Sequence, residues 1–406
     1  MATLETGVKG GKWFSLSDKV RKMENLQAAV KTVGGNKGGA GVDGKTVEED
    51  LLASPERLAK VQEWLKAGRY IPQPVKRVWI PKLGSKELRP LGVPTVEDRV
   101  VQTALRNVIE PIFEHTFAEH SYGFRPGRGA KDALRRVDQL LKAGKTWVVD
   151  ADLKGYFDSI PQDKLMEAVA EHISDGPLLD LIHRFLKQGV MESGKESQPT
   201  ETGTPQGAVI SPLLANVYLN PLDHVMAKTG REMVRYADDF VVMCQSEKEA
   251  NEVLAALRQW VDKAGLILHP TKTRIVDASQ KGGFDFLGYH FERSYRWPRK
   301  KSLEKLKETI RGKTGRSKPG SMRQIITEVN RTLSGWFEYF KQSHPWTFAP
   351  IDRWVRGRLR AIERKRHKLQ GRARGEDHIR WKNAYFANLG LISLALAREN
   401  ASRPRK

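Results

Sequence analysis

The chain has 406 residues, and its 70 Lys and Arg residues outnumber its 48 Asp and Glu residues, which gives a formal net charge of +22. Its apolar runs are too short to cross a membrane, and a single cysteine, Cys244, excludes an internal disulfide and a cysteine-based zinc site. The N-terminal residues lack the basic and apolar regions of a secretory signal. We therefore expect a cytoplasmic protein with a polyanionic partner and no membrane association.

Hydrophobic periodicity predicts alternating helices and strands in the first 290 residues. The expected helices cover residues 17–33, 46–67, 97–119 and 129–143. Residues 70–81 contain three prolines and are expected to be extended. The β-branched runs at 146–153 and 233–244 predict short buried strands. After residue 300 the chain is expected to be mainly helical, with an apolar stripe at 322–340 that faces the core.

The positive charge lies mostly in the C-terminal part of the chain. Residues 291–406 contain 30 Lys and Arg and 10 Asp and Glu, a net charge of +20, which leaves +2 for residues 1–290. We interpret this step near residue 290 as a domain boundary. Residues 353–368 alternate cationic and apolar side chains at helical spacing. The cationic faces of such a helix either contact nucleic-acid phosphates or are merely solvated.

A glycine-rich segment at 39–46 matches the phosphate-binding pattern G-x-x-x-x-G-K-[ST]. Such a loop requires a buried strand before it, because its amides must be held against the phosphate at the start of a helix. The preceding residues do not have the pattern of a strand. We therefore interpret the match as accidental.

Carboxylates on strands are the most informative feature of the sequence. Asp150 and Asp152 share one face of a strand, because side chains alternate with period two. Asp238 and Asp239 lie between two apolar half-strands, which predicts a hairpin whose tip presents both acids. Adjacent carboxylates repel each other unless a cation lies between them. A pair of Mg²⁺ ions, as used in nucleotidyl transfer, would supply that cation, but the residues alone leave a solvated Asp-Asp turn equally open.

The segment at 236–239, Tyr-Ala-Asp-Asp, resembles the signature of reverse transcriptases. Its surroundings resemble the group II intron-encoded reverse transcriptases and maturases of bacteria, over nearly the whole chain. The other segments that resemble blocks of this family, in the family's order, are 80–82 with 89–99, 120–127, 152–158, 203–207 with 211–216, 269–273, 286–289 and 335–340.

The resemblance implies an α+β, right-hand-like polymerase fold followed by an α-helical thumb or X domain. Residues 1–145 would form an N-terminal extension and the fingers. Residues 146–290 would form the palm, with an antiparallel sheet and the catalytic Asp-Asp hairpin. Fingers and palm together would make the reverse transcriptase domain, at about 70–290, and residues 291–406 the basic thumb/maturase domain.

The implied function is that of an RNA-directed DNA polymerase encoded by a group II intron, which assists splicing as a maturase and supports retrohoming. Its expected cofactor is two Mg²⁺ ions. Its expected partners are group II intron RNA, an RNA template with a DNA primer, deoxynucleoside triphosphates and target DNA. Two alternatives remain: an RNA-binding maturase with vestigial polymerase activity, and a reverse transcriptase recruited to host defence or repair. With one cysteine, no HNH endonuclease domain is expected.

The resemblance also assigns roles to residues. Asp152, Asp238 and Asp239 would bind the metal ions, and Lys272 is a candidate proton donor to the pyrophosphate unless it is only a surface lysine. The residues expected to bind the nucleotide are Lys82, Arg89, Phe157, Gln206 and Gly207. The bulk of Phe157 would exclude a 2′-hydroxyl, unless this side chain is simply a core aromatic. The residues expected to bind RNA are Arg353, Arg356, Arg360, Arg364 and Lys368.

Overall fold

The structure, a computed structural model, describes residues 11–50, 55–81, 88–192, 200–369 and 375–402. The chain divides into two compact units, Met1–Val276 and Asp277–Lys406. Because the first unit is not divided further, the three domain ranges proposed from the sequence stay predictions.

The first unit contains helices and strands in alternation. In chain order they are α1 (Ser17–Val20), α2 (Met23–Gly35), α3 (Val47–Asp50), α4 (Pro55–Lys66), β1 (Val75–Pro81), β2 (Leu88–Val93), α5 (Val96–Glu114), α6 (Ala130–Lys142), β3 (Trp147–Asp152), α7 (Tyr156–Ser159), α8 (Gln162–Ala170), α9 (Gly176–Lys187), β4 (Val190–Met191), α10 (Ser211–Lys228), β5 (Glu232–Tyr236), β6 (Asp239–Cys244), α11 (Glu247–Lys263) and β7 (Arg274–Asp277).

The helices follow the apolar periodicity of the sequence. In α2, Leu26, Ala29 and Val33 are buried at helical spacing. The glycine-rich segment at 39–46 therefore follows a helix rather than a strand, and it lacks the context that a phosphate-binding loop requires. Thr95 is the N-cap of helix α5, and its hydroxyl accepts a hydrogen bond from the backbone N–H of Asp98.

Two sheets organise the first unit. In the first, β1 pairs antiparallel with β2 and parallel with β4. The second has the order β5-β6-β3-β7, and β6 runs antiparallel to both β5 and β3. As an inner strand, β6 is buried from Phe240 to Cys244, which explains its uninterrupted apolar run.

Helices cover the second sheet and complete one continuous core. Helix α11 packs on β3 and β6, and α10 packs on β5 and α8. The buried side chains of α11 are Ala250, Val253, Leu257 and Val261, spaced three and four residues apart. This spacing places one apolar stripe against the sheet and leaves the charged face outside.

The second unit combines a small sheet with helices. Its elements are β8 (Phe284–Phe286), β9 (Tyr289–Glu292), β10 (Tyr295–Pro298), α12 (Lys300–Lys313), α13 (Met322–Phe340), a 3₁₀ turn (Pro345–Thr347), α14 (Phe348–Arg366), α15 (Gly375–Arg380), α16 (Asn383–Asn388) and α17 (Leu394–Ser402). The predicted helix at 322–340 is confirmed. It begins with a capping box, in which Ser321 and Gln324 each accept a hydrogen bond from the other's backbone N–H.

The second unit has a core of its own. Helix α13 contributes an apolar stripe that includes Ile325, Val329 and Leu333, and α14 contributes Val355 and Leu359. In the part of the chain that the structure describes, no helix combines the length and the apolar character needed to cross a membrane.

Candidate functional site

The acidic pair lies at the tip of a hairpin, as the sequence predicts. Tyr236, the last residue of β5, pairs with Asp239, the first residue of β6, so the turn consists of Ala237 and Asp238. Ala237 has a φ of +58°, in the left-handed region that glycine normally occupies at this position of a two-residue hairpin turn. The turn therefore holds a strained backbone at the residue before Asp238.

A third carboxylate faces this turn from the neighbouring strand. Asp152 ends β3 directly opposite Asp239, and such opposed pairs have Cα atoms about 5 Å apart. Asp150 lies two residues earlier on the same strand, opposite Val241, and accepts a hydrogen bond from the Nε of Arg274 at 3.2 Å. Asp152 thus belongs to the same edge of the sheet as the acidic turn, whereas Asp150 is paired with an arginine further along it.

The electrostatics of the turn are those of crowded carboxylates. Burial, and then repulsion from Asp152, raise the pKa of Asp238 above its usual value, while Arg235 and Lys272 act in the opposite direction. The Nζ of Lys272 lies 2.5 Å from an oxygen of Asp152, and the lysine side chain is 55% exposed. The structure thus brings Lys272 to the three acids, as a cation that compensates one of them.

The donor chemistry of this edge fits a divalent cation. Among the described residues, no group of three or more Asp, Glu, His or Cys side chains has an arrangement ready to hold a metal ion. Asp152 is bound to Lys272 instead. The groups that lie together at this edge are carboxylates, whose oxygens are the ligands that Mg²⁺ prefers, since Asp152 is directly opposite Asp239 and Asp238 precedes Asp239 in the turn.

The predicted nucleotide-binding residues lie on connected segments. Phe157 lies in α7, partly buried against the core, and its backbone carbonyl accepts a hydrogen bond from the N–H of Thr204 at 2.6 Å. Gln206 donates from its amide to Asp158 at 2.9 Å, and its carbonyl accepts from the N–H of Gly92 at 2.6 Å. The segment around Gln206 is therefore fixed to both α7 and β2.

Gly207 is a glycine for a steric reason. Its φ is +105°, and a Cβ at this position would lie 2.4 Å from the carbonyl oxygen of Gly92. Arg89 lies exposed on β2, opposite Ile80. Lys82, the other cation predicted to bind the nucleotide, lies outside the described residues.

The structure corrects the sequence interpretation for two of the five residues that were expected to bind RNA. Arg360 is 2% exposed and donates hydrogen bonds to the carbonyl of Trp381 and to the side chain of Asn383. Arg364 is ion-paired with the buried Asp377 of α15 at 2.7 Å. These two guanidiniums lie inside the unit because later segments pack on that face of α14, so they do not present an exposed phosphate-binding surface.

The remaining three candidates have accessible side chains. Arg353 and Lys368 are exposed, and Arg356 is partly exposed. Their contact with RNA stays a prediction.

The sequence analysis did not single out Arg235, which is fully buried next to the turn and paired with Asp223 at 2.5 Å. A signal was present, since an arginine interrupts the apolar run of β5 between Val234 and Tyr236. A buried cation requires a partner, and that partner comes from another element, α10.

Comparison with known families gives two matches. Residues 80–291 match the family described as "Reverse transcriptase (RNA-dependent DNA polymerase)". Residues 303–381 match the family described as "Group II intron, maturase-specific domain".

Two individual proteins and one solved structure are similar to this chain. The chain is 43% identical over 170 residues to the group II intron-encoded protein LtrA of Lactococcus lactis, which covers 42% of this chain and 28% of that protein. It is 36% identical over 294 residues to the protein YkfC of Escherichia coli, which covers 62% of this chain and 76% of YkfC. A telomerase structure from Candida albicans is similar at a TM-score of 0.46 and 14% identity, over 74% of this chain and 60% of that one.

The pKa of Asp238 yields a prediction about stability. Its folded-state pKa is raised, so the native state binds more protons than the unfolded state, and the stability contributed by this group falls as the pH rises through that pKa. In metal-free buffer with EDTA at pH 7, Asp238→Asn should therefore have a higher Tm than the wild type. The gain should shrink as the pH is lowered through the raised pKa of Asp238, because the protonated aspartate is then neutral, as asparagine is. An Asn variant with an equal or lower Tm at pH 7 contradicts the assigned repulsion.

Proposed function

Because the chain belongs to the reverse transcriptase family and also matches a group II intron maturase-specific domain, we propose that it is an RNA-directed DNA polymerase encoded by a group II intron. The observation that carries the proposal is the edge where Asp152 faces the turn of Asp238 and Asp239. The reaction is nucleotidyl transfer. The 3′-hydroxyl oxygen of a primer bonds to the α-phosphorus of a deoxynucleoside triphosphate, its proton passes to solvent water, and the bond from that phosphorus to pyrophosphate breaks so that pyrophosphate leaves.

The three aspartates would hold two Mg²⁺ ions. When bound, these ions would favour deprotonation of the attacking hydroxyl and stabilise the charge on the leaving pyrophosphate. The carboxylates would supply oxygen ligands at the edge of the sheet, where the turn that begins with Ala237 carries Asp238 next to Asp239. Lys272, whose ammonium group lies at the same edge, would give a proton to the leaving pyrophosphate.

The nucleotide would lie against the connected segments of α7 and residues 203–207. In the proposal, Phe157 restricts the space beside the sugar, and Gln206 and Gly207 line the pocket through a backbone that a side chain at 207 would obstruct. Arg89 and Lys82 would bind the triphosphate, where positive charge stabilises the phosphates in transfer.

The second unit would bind intron RNA and assist its splicing. Residues 291–406 contribute +20 of the net charge of +22, and the maturase-specific match falls among them. Within the same proposal, the protein supports retrohoming into target DNA and works in the cytoplasm of a bacterium. The matched region spans only 28% of LtrA, so the activities of that whole relative come to this chain as proposals.

The first test is removal of a catalytic carboxylate. Asp238→Ala or Asp239→Ala should lower the rate of oligo(dT) extension on poly(rA) by about 10³-fold or more, because a group that stabilises the transferring phosphate is lost. Asp150→Ala is the matched control, since this aspartate shares the strand of Asp152 but pairs with Arg274. Rates near the wild type in either variant, or an equal loss in the control, would refute the assignment.

Phe157 gives a test of sugar selection. Phe157→Ala should reduce the ratio of kcat/KM for dNTP to that for rNTP by about tenfold or more, because the space for a 2′-hydroxyl opens. Phe157→Tyr keeps the bulk and should keep the ratio. If Phe157→Ala extends with dNTPs normally and the ratio is unchanged, Phe157 is only a core residue.

The accessible cations of α14 and the residues after it give a test of RNA binding. Each phosphate contact contributes about 0.7 to 0.9 to the slope of log affinity against log salt, so Gln at Arg353, Arg356 and Lys368 should flatten the slope by about 2 to 3. Filter binding of intron RNA across a salt series measures it. The control replaces Lys248, Arg258 and Lys263, three exposed cations in or at the end of α11. A slope equal to that of the control protein would mean that the three residues are solvated surface.

A further inference from the structure

One buried arginine, Arg235, is hydrogen-bonded to the turn that carries the two aspartates. The guanidinium of Arg235 is fully buried, and its Nε and Nη2 donate to both carboxylate oxygens of Asp223, at 2.5 to 3.0 Å. Its Nη1 donates to the side-chain oxygen of Asn216 at 2.8 Å and to the backbone carbonyl of Ala237 at 2.9 Å. One planar group thus joins α10 to the peptide that leads into Asp238.

The peptide that Arg235 holds is the strained one. Ala237 has a φ of +58°, a left-handed conformation that is unfavourable for a residue other than glycine. A hydrogen bond to the carbonyl of Ala237 opposes the relaxation of this turn. Since the direction of Asp238 depends on the preceding peptide, the bond also bears on where that carboxylate points.

A second segment, residues 120–123, also contacts this turn and the strand before it. The backbone N–H of Arg235 donates to the carbonyl of His120 at 3.0 Å, and the N–H of Tyr122 donates to the carbonyl of Arg235 at 2.9 Å. A Cβ on Gly123 would lie 2.3 Å from the backbone nitrogen of Ala237. The turn is therefore packed so closely that its backbone has little freedom to move.

Asn216 connects the two supports. Its side-chain oxygen accepts from Arg235, and its side-chain nitrogen donates to the carbonyl of Gly123 at 2.7 Å. Removing Asn216 would break both links without removing the ion pair between Arg235 and Asp223. The network thus offers two independent variants that perturb the turn.

We propose that Arg235, fixed by Asp223 and Asn216, is a positioning residue that orients the Ala237 peptide and so directs Asp238 and Asp239 towards Asp152 for metal binding. The proposal rests on the function proposed above. Arg235 is fully buried, so it acts through its hydrogen bonds and not by contact with the substrate. A buried ion pair often adds little to stability, since apolar residues can frequently replace it without loss. The property of Arg235 that matters here is the fixed geometry of its planar guanidinium donors, which a lysine of equal charge does not supply.

The variants that test this role are Arg235→Lys and Asn216→Ala. The matched control is Arg136→Lys, because Arg136 pairs at 2.6 Å with Glu232 at the opposite end of β5. Three quantities are measured for each full-length protein: the Kd for Mn²⁺ without nucleic acid, from the EPR signal of free Mn²⁺; the Mg²⁺ concentration for half-maximal primer extension; and the Tm. Asp238→Ala serves as the reference for a lost metal site.

We expect Arg235→Lys and Asn216→Ala to weaken Mn²⁺ binding and to raise the half-maximal Mg²⁺ concentration by about tenfold, as loss of a group that orients metal ligands does. The KM for dNTP at saturating Mg²⁺ should stay near that of the wild type. Arg136→Lys should leave both metal readouts unchanged.

Unchanged metal readouts in folded Arg235→Lys and Asn216→Ala overturn the proposal, as does a loss of Tm and of rate at an unaltered Mg²⁺ midpoint. If Arg235→Lys does not fold, Asn216→Ala decides by the same readouts. A wild-type protein that binds Mn²⁺ through Asp238 but extends no primer refutes the polymerase function alone, and the Mn²⁺ affinities of the variants still decide the role of Arg235.

Discussion

The carboxylates at one edge of the second sheet repel each other, and the structure around them must compensate for this repulsion. Asp152 lies opposite Asp239, and burial together with Asp152 raises the pKa of Asp238. A folded protein tolerates such a cluster only if charge or geometry compensates for it. Here Lys272 compensates Asp152 by direct contact. The rest of the compensation is geometric, since the strands and the turn fix where the acids point.

Arg235 contributes geometry more than charge. Burial by itself lowers the pKa of its guanidinium, but the adjacent carboxylate of Asp223 more than offsets this, so the net pKa is raised and the group stays cationic. Arg235 lowers the pKa of Asp238, but this effect is smaller than the opposite effects of burial and of Asp152. The contribution of Arg235 to the turn is therefore its pair of hydrogen bonds, to the side chain of Asn216 and to the carbonyl of Ala237.

The periodicity of the sequence predicted those features that depend on neighbouring residues in the chain. Alternation placed Asp150 and Asp152 on one face, two apolar half-strands predicted the hairpin, and periodicity predicted the helix at 322–340. The spacing of Arg360 and Arg364 also placed them correctly on one face of α14. It could not reveal that Asp377 and Trp381, from later segments, cover that face. The environment of a charged side chain depends on which distant element packs against it, and a single sequence does not encode that pairing in its periodicity.

The uneven distribution of charge along the chain keeps the acidic site apart from the cations that a polyanion would contact. A site built from acids needs compensation at particular atoms, and a general excess of lysine and arginine around it would offer the carboxylates alternative partners, as Lys272 does for Asp152. A surface for a polyanion needs many cations with little demand on their exact position. The near-neutral first 290 residues and the +20 of residues 291–406 satisfy these requirements in different parts of the chain. Salt should therefore act on affinity for nucleic acid mainly through the second part, while the acids at the β5–β6 turn respond to divalent cations.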